Sequence, residues 1–99
     1  MKEEMQNMNN NESNAQKNIE ALRLRRVLPP ERGWGENSRV IFIHQGHLHS
    51  GRILGRNCNS FETPKCYLIR FDGLQFDIWI QAEEILGHVL QFPDIELIY

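Results

Sequence analysis

No stretch of this 99-residue chain approaches the roughly 20 consecutive apolar residues that a membrane-spanning helix needs. Its polar, acidic start also lacks the apolar centre of a secretory signal. Both absences predict a soluble, intracellular protein, nuclear in a eukaryotic cell and cytoplasmic otherwise, with no membrane partner. Cysteine is scarce. Cys58 and Cys66 are the only two; they flank a polar loop and could meet across a hairpin, but in an intracellular chain two cysteines are more often free thiols. Length for a second domain is missing too, and a chain this short supports one small core.

Catalytic and metal-binding patterns are equally thin. Asp72, Asp77, Glu83 and Glu84 are the acids of the second half that invite an acid/base reading, yet no nucleophile with a base accompanies them, so they read as a solvated face. The expectation is a protein that is not an enzyme. His44, His47, His49, His88 and the two cysteines can ligate metals, but they form no Cys-x-x-Cys knuckle or comparable spacing. No metal and no cofactor are expected.

What is present is uneven. The formal net charge of −2 divides into −2 over residues 1–16, +3 over residues 17–39 and −3 over residues 40–99. The first fifteen residues are rich in Asn, Gln, Glu and Met, a composition that cannot offset the entropy of ordering, and are expected to be a disordered tail. Residues 16–38 read as a short helix and linker. Ser13 or Asn14 caps the helix, Ile19, Leu22 and Arg26 share one side, and Pro29-Pro30 ends it. Its arginines allow two readings: they suit the negative end of a helix docked on the rest of the chain, or Arg23, Arg25, Arg26 and Arg32 form a basic patch for phosphate or acidic partners. Trp34, set between glycines, either plugs one end of a small core or offers its ring for stacking.

From Arg39 the apolar pattern acquires strand periodicity. Arg39 to His44 and His49 to Arg56 form strands joined by a turn at Gln45-Gly46-His47, and Gly51 inside the second suggests a bulge or a sharp bend. Tyr67 to Phe71 and Phe76 to Ile80 flank Asp72-Gly73, a strong hairpin signal because glycine accepts a positive φ. The acidic segment 81–84 is too brief for more than one helical turn, and Ile85-Leu86, residues 88–90 and residues 95–99 supply the last apolar groups, residues 95–99 as a strand or a helical turn. Residues 39–99 therefore predict an all-β fold, a small antiparallel barrel of five or so strands.

The run Arg39 to Leu54, followed by Tyr67 to Leu86, resembles the Tudor/chromo-barrel group of SH3-like barrels over about half the chain. It is similar to the chromo barrels of mortality-factor-related proteins, and Tyr67-Leu68-Ile69-Arg70-Phe71-Asp72-Gly73 is similar to the Tyr-Leu-Val-Lys-Tyr-Asp-Gly of spindlin repeats. Such barrels recognise methylated lysine or arginine on histones through an aromatic cage. The resemblance implies cage positions at His44, His49, Phe71, Phe76 and Trp79, with Leu74 standing where the chromo-barrel pattern has a tryptophan. A methylated ammonium keeps its charge but loses hydrogen bonds, so several π-faces hold it best, each contributing roughly 0.5–2 kcal/mol.

Three functions follow as expectations. The first is a module that binds a basic or methyl-lysine peptide such as a histone tail, with Asp72 and Asp77 as an acidic rim that steers it. The second is a small structural or regulatory subunit that docks on a larger protein complex. The third, a nucleic-acid-binding barrel using the N-terminal arginines and Arg52, is disfavoured by the acidic second half.

Overall fold

The computed structural model describes residues 18–57 and 63–95. The expected tail over 1–15, the cap at Ser13 or Asn14, Cys58 and residues 96–99 lie outside that range. Five strands, β1 (Arg39–His44), β2 (His47–Asn57), β3 (Cys66–Phe71), β4 (Asp77–Gln81) and β5 (Ile85–His88), form one antiparallel sheet in the order β4-β3-β2-β1-β5. That is the five-stranded arrangement expected, and one 3-10 turn, Ala82–Glu84, links β4 to β5 as the short acidic segment required. A second 3-10 turn follows at Val89–Gln91. The fifth strand is Ile85–His88, with Ile85 and Leu86 both buried, one on each side of it.

β1 explains the architecture. Its four central residues are all buried, which a strand with one wet face would not allow. Val40 and Phe42 point inward to meet Ile53, Tyr67, Ile69 and Phe71 in the main core. Ile41 and Ile43 point outward into a second cluster with Leu86 and Phe92. Residues 18–24 are helical, and their Ile19 and Leu22, together with Val27, pack on this outer cluster. The N-terminal segment is thus a cover for the outer face of β1 and β5. Fully burying an isoleucine or leucine such as Ile41, Ile43 or Leu86 is worth roughly 1.5–3 kcal/mol, and this packing, rather than its own propensity, holds the short helix in place.

Two details of the hairpins differ from expectation. Gly51 sits in regular pairing, opposite Val40 and Phe71, and the register shift falls instead between Ile53 and Gly55. Glycine is required at 51 by the close approach of β3, since a Cβ there would run into the Arg70 carbonyl and Ile69. The β3–β4 loop is longer than Asp72-Gly73: it closes through Phe71 N–H to Phe76 O at 3.0 Å, and Gly73 adopts φ +76° within it. Trp34 plugs the core, its backbone N–H donating to the Tyr67 hydroxyl at 2.9 Å, while its buried indole Nε1 has no hydrogen-bond partner among the described residues.

Candidate functional site

Inward alternation carries His44, His49 and Phe71 to one mouth of the barrel, where Phe76 joins them from the β3–β4 loop. Phe71 is the centre of the group. Ring centroids lie 4.8 Å away at His49, 5.3 Å at Phe76, 5.7 Å at His44 and 5.1 Å at Phe42. Four of the five residues implied by the resemblance therefore meet. Within the group Phe71 is only 5% exposed, whereas Phe76 stands at the rim, 50% exposed. Trp79 stands apart, outward on β4 opposite Leu68, 53% exposed, and among the described residues its ring meets none of the other four. Burial, reinforced by the nearby His44 and His47, holds the His49 imidazole below its ordinary pKa, against a backbone hydrogen bond that works the other way.

The charged candidates are largely committed to one another. Asp72 accepts from Arg39 Nε at 2.8 Å and from the Ser50 hydroxyl at 2.7 Å. Asp77 takes Arg70 Nε at 2.8 Å and Nη2 at 3.1 Å, which lowers its pKa. Neither acid projects as an unpaired rim. In the basic segment, Arg23 Nη2 lies 3.0 Å from Glu84 Oε2 without hydrogen-bond geometry. Arg25 grips Asp94 through two hydrogen bonds of 2.8 Å and lies 5.1 Å over the Phe92 ring. Arg26 donates to the carbonyls of Ile85 and Ala82. Arg32 is exposed, and its carbonyl accepts from Arg56 at 2.7 Å. Three of the four patch arginines hold the N-terminal segment to the sheet.

The sheet's two edges frame the open surface. Beyond β5 runs the chain itself, with Val27 N–H donating to Leu86 O at 2.7 Å and Arg26 beside it. Among the described residues β4 pairs with β3 alone. Its other side opens on a groove of about 260 Å³ between Trp79, Ile80 and Gln81 and the end of β1 with its turn, Ile43 to Gly46. Arg23 and Glu84 close one end. Trp79, His44 and Glu84 all stand out in the sequence, Glu84 only as part of a solvated acidic face, because its partner Arg23 lies on a helix distant in the chain.

Cys66 is a half-buried free thiol. Among the described residues no helix is long and apolar enough to cross a membrane, and no three histidine, cysteine or acidic side chains gather as a metal site. Compared with known proteins, the chain matches no family model, no curated protein and no solved structure.

Proposed function

We propose that the chain is a non-enzymatic recognition module that takes an extended basic peptide along the open edge of β4. One observation carries this reading. The edge of β4, unpaired among the described residues, runs beside a groove that already holds a guanidinium, Arg23, against the Glu84 carboxylate, with Trp79 and His44 as its aromatic walls. An added strand would be held by backbone hydrogen bonds to β4, and its cationic side chain would find a π-face and a carboxylate where Arg23 now sits. A methyl-lysine of the kind found on histone tails suits the same walls, because methylation weakens hydration and leaves the charge. His44 links this groove to the cluster around Phe71, whose ring lies 5.7 Å from it.

Calorimetric titration of the whole chain with a lysine-rich peptide, unmodified and trimethylated, tests the proposal. Binding that is lost in Trp79→Ala and tightened in Arg23→Ala, where the internal competitor is gone, is the expected result. Equal affinity for both peptides in both variants would refute it. A second reading, docking of the barrel on a larger protein, is favoured by Leu74, Phe76 and Trp79, three large apolar side chains each at least 50% exposed on or beside β4. A stable complex recovered by pull-down, with no peptide binding, would select that reading. A nucleic-acid partner would have to compete for Arg23 and Arg25, which are already paired.

A further inference from the structure

A row of like charges crosses the outer face of the sheet. Strand register sets Arg39 opposite Arg52 and Arg52 opposite Arg70, with Asp77 next on β4. Like charges opposed in this way repel. Two of the three arginines are neutralised, Arg39 by Asp72 at 2.7 Å and Arg70 by Asp77 at 2.8 Å. Arg52, between them, is exposed and has no carboxylate partner among the described residues. Arg70 uses Nε and Nη2 on Asp77, which leaves its Nη1 free to donate.

Beside Arg52 and Arg70 lies a cavity of about 370 Å³ at the β3–β4 loop, walled by Leu54, Phe71 and Leu74 and bordered by Asp72. It shares no residue with the groove at the β4 edge. We propose that this cavity is a carboxylate-binding site for an acidic side chain of a partner peptide, with an apolar neighbour of that side chain resting on Leu54 and Leu74. A planar carboxylate matches the guanidinium fork of Arg52 and completes the neutralisation of the row. Charge selects it over phosphate: the row has a single uncompensated positive charge, and a dianion would bring surplus negative charge beside Asp72 and Asp77. The site stands independently of the basic-peptide reading.

The test uses the full chain with its arginine Nε–H signals resolved by NMR. N-acetyl-Glu-Leu-amide, its Gln-Leu counterpart and inorganic phosphate are titrated separately. The expected result is saturable shifts at Arg52 and Arg70 with the Glu-Leu compound and none that saturate with the other two. Arg52→Gln should weaken the binding about tenfold or more, the scale of a lost charge-assisted hydrogen bond. Because Arg52 is exposed and its removal relieves repulsion, the variant should melt no lower than the parent, so loss of binding would not report unfolding. Saturation by phosphate but not by Glu-Leu would overturn the carboxylate assignment. Equal binding of Glu-Leu and Gln-Leu, or unchanged binding in Arg52→Gln, would overturn the site.

Discussion

The sheet has two edges, and the chain treats them differently. At β5 the segment ahead of the barrel supplies a backbone donor from Val27 and a guanidinium from Arg26, and its apolar residues cover Ile41 and Ile43. At β4 the strand is short, five residues, carries Asp77 at its start and half-exposed Trp79 at its centre, and borders a groove. Exposed edges invite pairing with other chains, and proteins blunt those they do not use. One edge is closed by the molecule's own backbone, and the other, among the described residues, runs beside an exposed tryptophan, which is the edge the proposed peptide would take.

The comparison breaks first at the level of stability. Leu86→Ala, beneath the covered edge, should cost about 2–5 kcal/mol, whereas Trp79→Ala on the open edge should change stability by no more than about 0.5 kcal/mol. Urea denaturation of both variants measures this, and similar losses would mean that Trp79 is structural. Arg26→Ala comes next, at about 1.5–3 kcal/mol for charge-assisted hydrogen bonds to two carbonyls. It should also bare β5, so size-exclusion chromatography should show new concentration-dependent self-association that Arg23→Ala lacks.

Gly73→Val, in the loop leading to β4, forces a branched side chain into φ +76° and should cost roughly 1–2 kcal/mol. An unaltered melting temperature would show that the loop relaxes without strain. Smallest is the effect of pH on the aromatic mouth. Since the His49 pKa is depressed in the folded chain, the unfolded chain takes up that proton first as pH falls below about 6.5. Stability should be full above that value and decline below it until His49 also titrates in the folded state. His49→Asn should flatten melting temperature against pH between about 7.5 and 5. The carboxylates of Asp77 and Asp94, held low by Arg70 and Arg25, stay ionised there and contribute only at lower pH.

Strand positions were legible because side-chain alternation and β-branched runs report directly on a two-sided sheet. Trp34 as a plug, the helical turn before Ile85 and the positive φ at Gly73 were legible for the same local reasons. The roles of the charged residues were not. Arg26 reaching Ile85 and Arg25 reaching Asp94 join opposite ends of the chain, and nothing in the local sequence of either partner announces the other. The bulge suggested at Gly51 falls instead between Ile53 and Gly55, since what demands glycine at 51 is the backbone of a neighbouring strand. In the aromatic group, the resemblance pointed to four rings that do meet, His44, His49, Phe71 and Phe76, while strand alternation turns Trp79 to the other face of β4.

The two tryptophans occupy opposite environments, and that gives the molecule a pair of optical reporters. Trp34 is buried, its indole nitrogen unpartnered among the described residues, so its emission should lie to the blue, resist quenching by acrylamide and change only on unfolding. Trp79 should emit to the red and be quenched freely. Any guest at the open edge will therefore announce itself as a change in one fluorophore, with the other as an internal reference in the same cuvette.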